Sequence, residues 1–284
     1  MAVVDAEEMR RERNERWSRA AAGWGRRADA VAQVVQAVTL WMVEAIRPRP
    51  GMTVVELACG PAEAGLLAAE MVAPDGRVLL ADAVPEMVEI ARRRAGERGI
   101  RNVEARVVDL EWLDFGAGTV DAILCRWGYM FAVDPEAAFA EARRTLRPGG
   151  RIALAVWEGP EVNPFASIPA RALVDLGHAE PPPPGTPGMF ALSGTEAVPS
   201  LLAGAGFSEV ECEPVDITYR YESLDDFWAW TCDLARPFAE TVARISPDER
   251  EAVRERIGDG LSPYEASDGS LAVPGRAVVA AATA

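Results

Sequence analysis

The sequence predicts an α/β fold, a mostly parallel sheet with helices on both faces, and three observations lead to it. From residue 51 onward, short runs of branched apolar residues alternate with helical stretches of about 10 to 15 residues, the pattern of repeated strand-helix-strand units. The junctions carry turn chemistry, as in Pro74-Asp75-Gly76 and Pro148-Gly149-Gly150. A length of 284 residues, 49% hydrophobic and 26% charged, is enough for one well-buried core.

Taken in order, residues 5–46 read as two helices separated by Gly23-Trp24-Gly25, the second carrying Val31, Val34, Val35, Val38, Leu40 and Trp41. Residues 1–48 are therefore expected to pack on the sheet or cover its mouth as lid helices, ahead of a main domain over 49–284. Strands are expected at Thr53–Leu57, Val78–Ala81, Val103–Val108, Val120–Cys125 and Ile152–Trp157. Helices are expected at Ala62–Met71, Pro85–Ala95 and Pro135–Leu146, the last two opening with proline at the first helical position. Residues 158–192 hold Pro160, Pro164, Pro169 and the run Pro181-Pro182-Pro183-Pro184-Gly185, which predicts an irregular insertion suited to a lid. A helix near Thr195–Ala203 and a strand near Glu209–Val215 return to the sheet. A second insertion at about 218–265, helical over 222–258, precedes a final strand at Leu271–Ala280 and completes the expected cap.

Composition removes several functional classes. The charged opening Glu7-Glu8-Met9-Arg10-Arg11-Glu12-Arg13 does not read as a secretory signal, and no run reaches roughly 18 apolar residues, so a cytoplasmic protein without membrane contact is expected. Cys59, Cys125, Cys212 and Cys232 are scattered without a C-x-x-C pair and read as small buried residues rather than a metal or disulfide framework. The net charge of −15 opposes nucleic acid as a partner, and Arg92-Arg93-Arg94 reads as a solvated helix face. All 29 basic residues are arginine, which excludes Schiff-base and P-loop lysine chemistry. With His178 as the only histidine, a multi-histidine metal site is excluded, and no metal is expected.

The residues that bear on a cofactor follow the first three strands. Glu56 precedes Gly60 by four residues, and the small residues there let a ligand approach the backbone ahead of a helix N-terminus. Gly60, Ala62 and Gly65 also mimic a dinucleotide fingerprint, but Glu56 inside the first turn would repel a pyrophosphate while suiting a sulfonium and an amino group. Asp82 ends the second strand, where a carboxylate can accept ribose hydroxyls. Asp109, followed by Leu110, ends the third, placed to read an adenine amino group.

The segments VVELACGP (Val54 to Pro61), VLLADAVPEM (Val78 to Met87), VVDL (Val107 to Leu110), VDAILCR (Val120 to Arg126) and LRPGG (Leu146 to Gly150) resemble, in order and spacing, the class I S-adenosylmethionine-dependent methyltransferases. More narrowly they are similar to the ubiquinone and menaquinone C-methyltransferase group and to bacterial natural-product methyltransferases. The resemblance is strong over about 50–157 and loose elsewhere. It implies a Rossmann-like, seven-stranded sheet with an antiparallel last strand, S-adenosylmethionine over its carboxyl edge, and substrate beneath the lid. By position it implies that Glu56, Ala58 and Gly60 line the methionine portion, with Trp24 of the lid against the cofactor. Asp82 would bind the ribose, Met87 would pack on adenine, and Asp109 and Leu110 would contact the adenine edge. Cys125 or Arg126 would present backbone near the transferable methyl. Ala58 and Ala62 depart from the family's glycine pattern.

Methyl transfer needs orientation and exclusion of water more than a protein nucleophile. The candidates for a catalytic role are His178, the one imidazole, which lies in the insertion, and Tyr129, which follows the fourth strand beside Arg126 and Trp127. Trp17, Trp24, Trp127, Tyr129, Phe131, Trp157, Phe165, Trp228 and Trp230 favour a flat, apolar small-molecule substrate such as a phenol, quinone precursor, indole or polyketide, handled by a monomer or homodimer. A cyclase or isomerase that binds the cofactor as a spectator is the alternative on the same fold. A ligand-binding module and a nicotinamide oxidoreductase are further rivals.

Overall fold

A computed structural model describes residues 5–183 and 185–284; Pro184, and residues 1–4 of the expected lid, lie outside the described residues. The chain runs α1 (Ala6–Val34), α2 (Gln36–Ala45), β1 (Thr53–Leu57), α3 (Glu63–Val72), β2 (Arg77–Asp82), α4 (Pro85–Glu97), β3 (Val103–Val107), β4 (Val120–Arg126), α5 (Pro135–Thr145) and β5 (Leu146–Trp157). It continues through α6 (Pro164–Asp175), α7 (Ala197–Gly204), β6 (Ser208–Tyr221), α8 (Leu224–Leu234), α9 (Arg236–Arg244), α10 (Pro247–Leu261) and β7 (Leu271–Thr283).

The seven strands form one sheet in the order β3-β2-β1-β4-β5-β7-β6. The first five pair in parallel, and β7 lies antiparallel between β5 and β6, the Rossmann-like arrangement that the resemblance implies. Parallel strands are covered on both faces, which is why Val54, Leu57, Ile123, Leu124, Ile152 and Leu154 are all buried. Each such side chain contributes about 1.5–3 kcal/mol of transfer free energy. Local signals agree with the termini. Asp134 caps α5 by accepting from the Ala137 N–H ahead of Pro135, with Arg143 and Arg144 in the last turn facing the negative end of the helix dipole. Ser246 and Glu249 form a capping box at α10.

Several expectations are corrected. The segment Gly23-Trp24-Gly25 does not break the N-terminal helix, since α1 runs unbroken for 29 residues and the interruption falls at Val35. Those glycines serve close packing instead. A Cβ on Gly23 would sit 1.9 Å from the Asp233 carbonyl oxygen of α8, and one on Gly25 would sit 3.2 Å from Ile90 of α4.

The insertion after Trp157 is not wholly irregular. Asn163 donates to the Glu158, Gly159 and Arg276 carbonyls and sets up α6, which opens with Pro164 and tolerates Pro169 one turn further on. The turn Pro148-Gly149-Gly150 lies inside β5 as a register irregularity with Gly149 at φ +77. Strand β6 is twice the expected length, 14 residues against the seven of Glu209–Val215. Arg94 leaves the solvated face expected of the arginine run and is buried against Asp29 and Glu63, while Cys212 and Cys232 are only half-buried. No helix among the described residues is long and apolar enough to cross a membrane.

Candidate active site

A cavity of about 540 Å³ opens at the carboxyl ends of β1 to β4 and extends under α1, α6, α8 and α9. Its acid end is built by the turn after β1. Ala58, Gly60 and Ala62 all adopt positive φ, +49, +49 and +62. The two alanines therefore hold a left-handed conformation that costs roughly 1–2 kcal/mol each. What secures the turn is Asp82, whose two carboxylate oxygens accept from the Gly60 N–H at 2.9 Å and the Val84 N–H at 3.0 Å. Burial pushes the Asp82 carboxyl up to about 6, against the lowering effect of those two hydrogen bonds and of Arg13.

Glu56 lies within β1 rather than in the turn, is 2% exposed, and accepts from the Gly65 N–H at 2.8 Å. Burial raises its carboxyl to about 7, only partly opposed by the charge of Arg126. Gly65 is fixed by packing, since a Cβ there would lie 2.5 Å from both Glu56 Oε2 and Leu80 Cδ2. Gly60 differs, because the position of its absent Cβ is open space facing the cavity.

Helix α1 reaches over this end with one face, Arg13, Arg16, Trp17, Ala20, Trp24 and Val31, lining the cavity at helical spacing. Arg13 engages the Asp109 carboxylate and donates to Glu111 Oε1 at 3.0 Å, while Arg10 donates to Glu111 Oε2 at 2.6 Å. Glu111, 2% exposed, also accepts from the Val133 N–H at 2.8 Å. Asp109 lies two residues beyond β3, and its second oxygen accepts from the Glu111 N–H. Arg10, Arg13 and Glu111 were not among the sequence candidates, and a pairing across nearly 100 residues leaves no local signal that could have found them.

The other end is aromatic. Trp127 and Trp157 stack with centroids 4.4 Å apart, Phe165 packs on Trp157 and Tyr219, and Trp230 meets Tyr219 and Tyr221 edge-on. Arg126 stands between the two ends, donating from Nη1 to Thr39 Oγ1 at 2.7 Å with its guanidinium 5.0 Å from the Trp127 ring.

Of the sequence candidates, Trp24, Glu56, Ala58, Gly60, Asp82, Met87, Asp109, Leu110 and Arg126 all line this one cavity. Trp24 also donates from Nε1 to the Leu234 carbonyl, tying α1 to the end of α8. Cys125 is fully buried beneath Gly128 and does not line it. Tyr129 is buried in the core, stacked on Phe139 with no hydrogen-bond partner for its hydroxyl, and is likewise outside the lining. The lining passes through Val174, Ala179 and Glu180 but not His178.

Residues 54–150 match a family model described as a methyltransferase domain. The chain is 31% identical over 236 residues to a nocamycin O-methyltransferase of Saccharothrix syringae, covering 79% of this chain and 83% of that one. In three further relatives the matched stretch spans 32%, 48% and 51% of their own length, so the chain spans about half of those proteins or less. Among solved structures, the YcgJ protein of Bacillus subtilis superposes with a TM-score of 0.58 at 18% identity, covering 87% of this chain and 98% of that one. The [4+2]-cyclase SpnF superposes at 0.53 and 19%, covering 88% and 81%. At such identities these two likenesses concern the fold. The chain belongs to the S-adenosylmethionine-dependent methyltransferases.

Proposed function

We propose that this chain transfers the methyl group of S-adenosylmethionine to a small, largely apolar metabolite with aromatic or conjugated character, such as a natural-product scaffold. One observation carries the reading: a single cavity joins an acid-lined end at the strand tips to an aromatic end, an arrangement suited to a donor and a flat acceptor lying side by side. The residues suit the donor. Open space over Gly60 admits a ligand against the backbone, Asp82 retains acceptor capacity for ribose hydroxyls beyond its two backbone bonds, and two acids with raised pKa gain from a neighbouring cation. Met87 and Leu110 supply apolar walls for a purine, and Trp24 closes over them from α1. When bound, the cofactor supplies a methyl carbon activated by positive sulfur. The chain's own part is to align the acceptor, exclude water under α1, α6, α8 and α9, and offer acids to the cation. Those helices, residues 1–48 with the two insertions, are the cap in this reading.

The relation to nocamycin O-methyltransferase supports an oxygen acceptor. Calorimetry with S-adenosylmethionine and S-adenosylhomocysteine, followed by incubation of methyl-labelled cofactor with phenolic, indolic and quinone-like acceptors, tests it. Micromolar binding with label in one acceptor is the expected result. Absence of binding refutes it, and bound cofactor that is never consumed in the presence of a converted substrate favours a cyclase.

A further inference from the structure

Arg126 is a cation without a dedicated acid. Its single side-chain hydrogen bond goes to a neutral group, the Thr39 hydroxyl, and among the described residues it forms no ion pair. The charges that oppose it are Glu56 and then Glu63. Glu63 is already bound by Arg94 and Arg98, and Glu56 is held by the Gly65 N–H and faces the place where a sulfonium would also draw on it. Even half-buried, an arginine short of a counter-ion carries a desolvation cost that nothing repays. The guanidinium faces the cavity where the acid end meets Trp127 and Tyr219. By contrast Asp109 and Glu111 have Arg10 and Arg13.

We propose, resting on the methyl-transfer reading above, that Arg126 is the docking cation for an anionic oxygen of the acceptor, so that the substrate is an oxygen acid methylated as its anion. A carboxylate, an ionised phenol and an ionised enol share this chemistry. The proton leaves to solvent as the acid docks. The anionic oxygen then forms the new O–CH3 bond while the S–CH3 bond breaks with its electron pair remaining on sulfur, and cation plus anion become two neutral molecules. No side chain has to act as base, in keeping with the positions of Tyr129 and His178 outside the lining. Thr39 is a positioning residue that aims the guanidinium from α2.

The test titrates protein saturated with S-adenosylhomocysteine by calorimetry at about pH 7.5, where the acids used are ionised. The probes are 2-naphthoate, 2,4-dinitro-1-naphtholate and neutral 2-naphthamide. At least one anion is expected to bind roughly 30-fold or more tightly than the amide, and Arg126→Gln to shrink that preference to about 3-fold. The affinity for S-adenosylhomocysteine should change less than about 2-fold, because the backbone at 126 is retained. Arg126→Lys and Thr39→Val, which keep the cation but lose its fork or its aim, should fall between and keep the test open if the glutamine variant fails to fold. The better of the two anions tells carboxylate from phenolate. Equal binding of amide and anions, or a preference that survives Arg126→Gln, overturns the proposal. So does a loss of cofactor affinity in Arg126→Gln with the anion preference intact, which would assign the arginine to the cofactor's carboxylate. Failure of the unaltered protein to bind S-adenosylhomocysteine removes the methyl-transfer reading itself, and is distinct from all of these.

Discussion

The two ends of the cavity are built by different means. At the acid end, backbone groups hold the site: the strand tips, a turn with three positive-φ residues, and the carboxylates of Glu56 and Asp82 tied to N–H groups within the same few elements. At the aromatic end, Trp127 just past β4 and side chains from β5, α6, β6 and α8 are far apart in sequence, and those of α6 and α8 arrive only because the cap folds over the strands. The turn and carboxylates of the first are a local construction over which α1 closes, the second is tertiary throughout, and damage to each should read out differently.

The largest effect is expected at the turn. Gly60→Val places a β-branched side chain at φ +49 and projects it into the cavity, so calorimetry should find S-adenosylhomocysteine affinity lowered by roughly 100-fold or more, with the fold intact by circular dichroism. Asp82→Ala removes the acceptor for two backbone N–H groups together with the ribose contact proposed above, and a loss of about 10- to 100-fold is expected in the same titration. If either variant binds normally, the acid end is not the cofactor site.

The aromatic end is broken through the cap. Gly23→Ala forces a Cβ against the Asp233 carbonyl, and urea unfolding should show a loss of about 1–3 kcal/mol. Acceptor-probe binding should fall further than cofactor binding in the same variant. Equal losses would mean that the ends are not separable.

Glu56 offers a pH test. Its folded-state value of about 7 is raised above the ordinary 4.5, so the protonated form is the one the fold favours. Its contribution to stability is therefore fully present below about pH 4.5 and fades as pH rises through 7, by up to about 3 kcal/mol. Glu56→Gln should flatten the urea midpoint between those limits, and should reduce the preference for the cationic S-adenosylmethionine over neutral S-adenosylhomocysteine by about tenfold. The smallest changes are expected at Tyr129→Phe and His178→Ala, with turnover within about twofold of the unaltered protein. A full loss of rate with normal cofactor binding in either would restore that residue as a catalytic group.

The same contrast explains what could be read from the sequence. Glu56 and Asp82 lie near the ends of β1 and β2, and Gly60 follows β1, strands whose apolar runs are plain, so a site made of strand tips is legible once those strands are. The aromatic end is not, because Tyr219 and Trp230 are placed by an insertion whose path depends on packing. Gly23 and Gly25 look like a helix break and are close contacts, a difference that only the partner helices disclose. Arg13 illustrates the same limit. In sequence it belongs to a charged opening stretch, and its role as the bridge to Asp109 and Glu111 needs α1 to cross the sheet nearly 100 residues away.

The unbroken course of α1 has one more consequence. A helix of 29 residues is a rod of roughly 40 Å, and this one touches the cavity from Arg13 at one end to Val31 at the other. A stiff rod cannot settle onto one occupant without changing its clearance over the next. The two ligands therefore share a single mechanical element, and whatever factor the cofactor adds to acceptor affinity, the acceptor must return to the cofactor in equal measure.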